Sequence, residues 1–411
     1  MTWSEHQAGF GSRCDVRVLT GCSHCQPERA DGTVRCMHDT QHVLVAGAGL
    51  AGVAVATALH RAGWEVDLVE RRQVAAATIP TGLFLHANGM RAFCHLGVSD
   101  LLLSRGYPVE RLCMRGAGCP GEGVAELANI WPGVGPCVAI GREAALDALI
   151  ERCPVPVRHG AAVQHLSQRG TRVEAVLADG SQNEYDLVVG ADGAYSAVRG
   201  MLWPEVVSRY GGETYWRGVV GCPPTLTDWS ACLCAAGILL ALPIGRGLAY
   251  WTAGCYTTTA FTDPLPGRAD RVRYRFADVT GVHRQILDQV RDDARVQFSP
   301  ADQVWVEVPV RDRVVLVGDA WHATTPNMAQ GGSMAAEDAL VLAAELAAGQ
   351  GIDEALARYV ARRLPRTRHV QDASEMRGRA AALPLADRNG FVIPNWAELS
   401  ASAFAPLVPE P

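Results

Sequence analysis

Three short apolar runs along the chain each stop on a glycine: Val43 to Ala46 before Gly47, "LVV" at 187–189 before Gly190, and "VVLV" at 314–317 before Gly318. Unbroken apolar runs of this length, bounded by turn residues, predict strands buried on both faces, as in a parallel sheet. After the first run the pattern predicts a helix from Leu50 to about Ala62, ending near Gly63, and then a strand, "WEVDLVE", with Glu70 at its carboxyl end. After the second, "ADGAYSAVRG" predicts a turn and a short helix containing Arg199. After the third, "GDAWHATTPNMAQGG" is a Pro-containing loop that opens a long Ala-rich helix, "SMAAEDALVLAAEL". The 201–303 stretch, with "GGETYWRGVVGCPPTL" and "GILLALPIGRGLAYWTAGC", is β-branched and aromatic, broken by Gly and Pro, and predicts a mostly antiparallel sheet. On such a strand Tyr215 and Arg217 share one face and Trp216 takes the other.

The first strand, glycines, helix and acid form one unit. Gly47, Gly49 and Gly52 have the G-x-G-x-x-G spacing, which lets backbone N–H groups approach a pyrophosphate, while Glu70 is placed to accept from ribose hydroxyls. A tight βαβ turn without a ligand is the alternative for the glycines alone. Asp192-Gly193 alone reads as an ordinary type I turn.

Composition narrows the classes. With 411 residues, 48% hydrophobic and 19% charged, the chain can bury a large core in two or three domains. A net charge of -6 argues against an electrostatic grip on nucleic acid or anionic lipid. All 37 basic side chains are arginine, so a Schiff-base lysine and a P-loop lysine are both excluded. The 13 cysteines are read mainly as reduced thiols. Cys14, Cys22, Cys25 and Cys36 with His24 fit no common zinc spacing, and residues 1–40 read as a flexible extension in which Met37 is an alternative start. The longest apolar run, 231–245, is too short for a bilayer and no leader is visible, so a cytoplasmic location is expected.

The ordered motifs G-x-G-x-x-G, "GADG" with "SAVR", and "LVGDAWHATTP" with "GG" and "EDA" resemble those of the single-component FAD-dependent monooxygenases of the para-hydroxybenzoate hydroxylase type, over roughly residues 42–378. The resemblance implies an α/β fold with a Rossmann-like FAD-binding domain (41–78, 133–200 and 304–346) interleaved with a mostly antiparallel-sheet substrate domain (79–132 and 201–303). C-terminal helices and a tail would follow at 347–411. It implies non-covalent FAD, with Gly47, Gly49 and Gly52 at the pyrophosphate and Glu70 and Arg71 at the adenosine half. Arg142 would meet the phosphate or ribityl region, the Val163 backbone the adenine, and Asp192 both flavin and nicotinamide. Asp319 would hold ribityl hydroxyls, Pro326 would shape the flavin loop, and Gly331 and Gly332 would present N–H groups to the pyrimidine side of the ring. Family members usually follow the two glycines with a small polar residue such as asparagine; Ser333 and Met334 depart from that pattern.

The implied reaction uses NADH or NADPH transiently and dioxygen through a flavin C4a-hydroperoxide. It hydroxylates or epoxidises a small aromatic or polycyclic, unsaturated substrate in a monomer or homodimer without metal. Arg217, Tyr215 and His86 are the substrate-side candidates; a solvent-facing arginine and a hydrogen-bonded core histidine are the competing readings. A flavin-dependent halogenase is disfavoured by the missing lysine. A flavoprotein oxidase or reductase, or a non-catalytic flavin-binding protein, stays open.

Overall fold

The computed structural model describes residues 40–73, 79–119 and 121–411; the Cys-containing N-terminal segment and Met37 lie outside these. The three apolar runs become adjacent strands of one sheet. Its order is Val310–Arg311, Val314–Leu316, Leu187–Gly190, His42–Ala46, Glu65–Glu70 and Val157–His159, parallel throughout except for the terminal 310–316 hairpin. The central strands are fully buried because helices cover the sheet, which is why their sequence shows no alternation. Leu50–Arg61 connects the first two strands and packs against the long helix Gly331–Ala347. A three-stranded antiparallel meander, Val163–Arg169, Arg172–Leu177 and Gln182–Tyr185, leads into the 187–190 strand.

The second large sheet has seven strands, in the order Gln297–Gln303, Arg209–Gly221, Leu248–Tyr256, Gly237–Pro243, Trp229–Cys234, Arg111–Gly116 and Glu122–Glu126. All neighbours are antiparallel except the 111–116 and 229–234 pair, so segment 79–132 contributes two of the strands. The alternation expected around Tyr215 holds. Trp216, Trp251, Leu239 and Cys232 pack on one side with Val272, Phe276, Ile286 and Leu287, from the helix-containing segment 268–289. Tyr250, Leu242, Ala231 and Met114 face the other way, toward Met328, Met334 and Val370. That second face looks onto the parallel-sheet half. A small sheet, Gly82–Leu85, Cys137–Gly141 and Tyr107–Val109, bridges the two halves.

The chain end is helical nearly to its last residues. Residues beyond 383 fold into helices Leu385–Val392 and Trp396–Phe404. Pro384 and Pro406 sit at helix starts, where a missing N–H costs nothing. The Trp396 ring stacks on Trp229 at 5.8 Å, and its Nε1 donates to the Leu112 carbonyl at 2.8 Å. No disulfide joins two cysteines among the described residues. No helix of the described residues is long and apolar enough to cross a membrane.

Candidate active site between the two sheets

The glycine turn is shaped by close contacts. Gly47 has φ +105°, and a Cβ there would stand 2.6 Å from the Ala191 carbonyl oxygen and 2.8 Å from the Asp192 Cα. A Cβ on Gly52 would run into the Gly47 carbonyl oxygen. Gly49, by contrast, faces open space: a Cβ there would meet nothing within 4 Å. The turn therefore packs tightly behind and opens in front, at the N-terminus of the 50–61 helix, where unpaired N–H groups attract an anion. Glu70 closes the turn from the side. Its Oε2 accepts from the Ala48 N–H and its Oε1 from the Arg72 N–H, each at 3.0 Å, which leaves lone pairs for further donors. Arg71 is exposed beside it, and the Ala161 N–H donates to the Glu70 carbonyl at 3.0 Å, bringing buried Val163 to the same edge.

Asp192, behind the glycine turn, also has a local role. Its carboxylate accepts from the Ser196 hydroxyl and from the N–H groups of Ala197 (2.6 Å) and Val198 (3.2 Å), capping the short helix Ala197–Leu202. The "DG…S" motif thus has a local structural use in full view.

The third motif is anchored by a buried ionic network that sequence reasoning passed over. Asp338 Oδ2 accepts from the Gly318 N–H and from His322 Nε2, both at 2.8 Å, and its Oδ1 accepts from Arg363 Nε at 2.8 Å. Glu337 accepts from Arg363 (2.5 Å), Arg366 (2.7 Å) and Asn88 (2.9 Å), and Asn88 also donates to Gln330 at 3.0 Å. Burial opposes ionisation of Asp338, but His322 and Arg363 beside it hold its carboxyl down at about 2. These bonds fix both ends of the 318–330 loop to helices Ala87–His95, Gly331–Ala347 and Ile352–Ala381. The "EDA" acids were visible in the sequence; their arginine partners, in another helix, carry no local signal.

Within that frame the loop presents its polar edge outward. Asp319 is exposed and, among the described residues, its carboxylate has no hydrogen-bond or ion-pair partner. A Cβ on Gly331 would lie 3.8 Å from Asp319 Oδ1, so the acid and the start of the long helix face each other. Pro326 is exposed and opens a 3-10 turn, Pro326–Met328, while Gly331 and Gly332 begin the helix without a side-chain cap. Ser333, buried against Gly89, is packing rather than surface.

Across the cleft, Arg217, Thr252 and Leu240 stand opposite one another on neighbouring strands and share the inward face with Tyr215 and Ile238. Arg217 is half-buried, donates to Ser299 Oγ at 2.8 Å and lies 4.9 Å over the Tyr215 ring. Tyr250, raised by burial, is stabilised in the opposite sense by Arg217 and by the charge of Arg142. Arg142 itself is exposed at the start of helix Arg142–Arg152, its N–H donating to the Thr81 carbonyl at 2.9 Å. His86 is not in this group. Its ring is enclosed by Phe84 (4.5 Å), Phe404 (4.5 Å) and Trp131 (5.7 Å), and it is hydrogen-bonded to the Met328 backbone. Burial, with Arg377 nearby, pushes its pKa down to about 3, so it is a neutral core histidine.

Residues 40–374 match the family described as "FAD binding domain". The chain belongs to that family. This FAD-binding protein is 33% identical over 330 residues to an aurachin C monooxygenase/isomerase of Stigmatella aurantiaca, covering 79% of this chain and 85% of the relative. It is 29% identical to a FAD-dependent urate hydroxylase of Klebsiella pneumoniae, over 80% of this chain and 87% of that one. Among solved structures, Klebsiella pneumoniae HpxO complexed with FAD and uric acid superposes with a TM-score of 0.76 at 23% identity, covering 90% of this chain and 92% of that one. The fold is that of the para-hydroxybenzoate hydroxylase-like flavoproteins, and the chain is a FAD-dependent monooxygenase.

Proposed function

We propose that the protein uses NAD(P)H and dioxygen to hydroxylate or epoxidise a small, electron-rich aromatic or polycyclic substrate held between the 318–332 loop and the inward face of the seven-stranded sheet. The observations that carry this reading are a glycine turn open at Gly49, an exposed Asp319 with no hydrogen-bond or ion-pair partner among the described residues, and the uncapped helix start at Gly331 that it faces. FAD supplies the redox chemistry when bound. Gly47, Gly49 and Gly52 leave space for its pyrophosphate, Glu70 accepts from the adenosine ribose with Arg71 and the Val163 backbone beside it, and Arg142 reaches the middle of the cofactor. Asp319 accepts from ribityl hydroxyls. Asp192 serves this site indirectly, by fixing the turn against which Gly47 packs. The helix start at Gly331 favours negative charge near it by about 1 kcal/mol, more where water is excluded. On the substrate side Arg217 offers donors to an oxygen of the ring system, Tyr215 supports its guanidinium, and Leu240 and Ile238 exclude water. The names of the relatives, a urate hydroxylase and an aurachin C monooxygenase, support an aromatic or heteroaromatic substrate.

The test is to purify the protein and record its visible spectrum. NAD(P)H consumption is then followed with phenolic, quinolone and purine-like candidates. A bound flavin, and a compound that accelerates consumption while gaining oxygen, is the expected result. Dehydrogenation of a candidate with one peroxide formed per product and no NAD(P)H consumed would make the protein an oxidase instead, and NAD(P)H consumption that yields only peroxide with every candidate unchanged would contradict oxygen transfer.

A further inference from the structure

Six carboxylates among the described residues are buried: Glu213, Asp228, Asp263, Glu337, Asp338 and Glu345. Five have an arginine within ion-pair distance: Arg111 for Asp228, Arg271 for Asp263, Arg363 for Glu337 and Asp338, and Arg358 for Glu345. Glu213, 4% exposed, has none. Its neighbours are neutral donors: Asn327 Nδ2 at 2.6 Å from Oε2, the Tyr215 hydroxyl at 2.9 Å from Oε1, and the Thr325 hydroxyl.

The protons around this carboxyl can be counted. Tyr215 Oη lies 2.9 Å from Glu213 Oε1 and also 3.1 Å from Asn327 Oδ1. The Asn327 amide cannot be turned round, because its Nδ2 faces the Ser374 carbonyl oxygen at 3.0 Å, which only accepts. Tyr215 has one proton for two acceptor oxygens. If Glu213 is ionised, one of those buried contacts lacks a full hydrogen bond; if Glu213 carries a proton, it donates to Tyr215 Oη, Tyr215 donates to Asn327 Oδ1, and every atom is satisfied.

We propose that Glu213 is a protonated positioning residue, a neutral brace that ties the substrate sheet through Tyr215 and Asn327 to the loop bearing Pro326. This rests on the proposed placement of the flavin ring against that loop. Burial raises the Glu213 carboxyl above the ordinary carboxylate value, consistent with the count. The groups facing it from each packed element are few. Tyr215 is on its own strand; on the neighbouring strand Tyr256 stands opposite Glu213 in register and Cys255 is close. Thr325 and Asn327 are on the loop. From the 352–381 helix Gly378 abuts Oε2, and Arg377 donates to the Asn327 carbonyl oxygen at 3.0 Å, on the far side of the asparagine. Deprotonation at alkaline pH leaves a buried charge without a counter-ion beside Asn327, and the loop loosens.

The experiment compares FAD-loaded wild type with Glu213→Gln and Glu213→Ala. Infrared difference spectra between wild type and Glu213→Gln at neutral pH are expected to show the carbonyl stretch of a protonated carboxylic acid, fading as pH rises. Over the same range the wild-type dissociation constant for FAD is expected to increase, by up to about tenfold per pH unit beyond the titration point. Glu213→Gln, which mimics the protonated acid, is expected to bind FAD within about threefold of wild type at neutral pH and to lose the alkaline weakening. Absence of the carboxylic band, or Glu213→Gln weakening FAD as much as Glu213→Ala, would overturn the proposal. If the alanine variant does not fold, the band and the glutamine variant still decide it. Failure of every variant and wild type to bind FAD would overturn the flavin placement instead, while the band continues to report on Glu213.

Discussion

Replacing Asp319 by alanine removes an exposed carboxylate that has no hydrogen-bond or ion-pair partner among the described residues, so the apo fold is expected to keep its melting temperature while FAD binds more weakly. Reacting atoms displaced by an ångström or less can cost large rate factors, so NAD(P)H consumption is expected to survive better than product formation, with the difference appearing as hydrogen peroxide. Asp319→Asn keeps the shape and one acceptor and is expected to retain more flavin than the alanine variant. A melting temperature that collapses in both variants would make Asp319 a structural turn residue. Glu70 differs in kind. Because it also accepts from the Ala48 and Arg72 N–H groups, Glu70→Ala is expected both to loosen FAD and to lower stability, by roughly 1–3 kcal/mol for the hydrogen bonds lost; FAD titration of the apo protein and thermal melts separate the two. At this scale the sequence exposed Gly47, Gly52, Glu70 and Asp319 because each obeys a local spacing rule. It left Glu213 and Asn327 unnoticed because 114 positions separate the two and only the fold joins them.

Helix 331–347 is held to helix 352–381 by Glu337, Asp338, Arg363 and Arg366, and the same acids pin Gly318 and His322. Arg363 is wholly buried, and Arg363→Met takes from Glu337 and Asp338 the counter-ion they share, leaving Glu337 to Arg366 and Asp338 to His322; a loss of about 3–5 kcal/mol in chemical denaturation is expected, as for other broken buried ion pairs. The acid limb follows from the Asp338 carboxyl, held at about 2 in the fold. A depressed carboxyl contributes stability that is present above its ordinary value near 4 and lost as pH falls toward 2. Wild type is therefore expected to lose melting temperature more steeply than Asp338→Asn between about pH 4 and pH 2; parallel curves would remove Asp338 from the acid-sensitive set. Elements with local rules were legible: the 50–61 helix and the strands around it fall where the apolar runs and glycines put them. C-terminal helices were expected within 347–411, but the places of Leu385–Val392 and Trp396–Phe404 were not legible, since Pro384, Pro394 and Pro406 break the local pattern. The spacing of Trp396, Ser400 and Phe404, the three buried residues of one helix, was the signal available.

The molecule places a parallel-sheet half against one face of an antiparallel sheet, and the 352–404 helices close the gap. Trp396 and Phe404 cover the sheet beside Trp229 and His86. Removing residues 383–411 is expected to uncover this apolar face and raise binding of a hydrophobic dye even if FAD is retained, a result that unaltered dye binding would contradict. The two-sheet plan was legible because its halves have different periodicities, continuous runs in one and alternation in the other. How the C-terminal segment completes the enclosure depends on contacts that no single stretch of sequence holds. The central claim is that this enclosure directs an oxygen atom from dioxygen into an aromatic or unsaturated substrate at the expense of NAD(P)H. Its most direct test is a turnover in isotopically labelled dioxygen, with product and consumed nicotinamide measured together. The account predicts a labelled oxygen in the product in proportion to the nicotinamide oxidised; product that carries only solvent oxygen, or none, alongside stoichiometric labelled peroxide would contradict it.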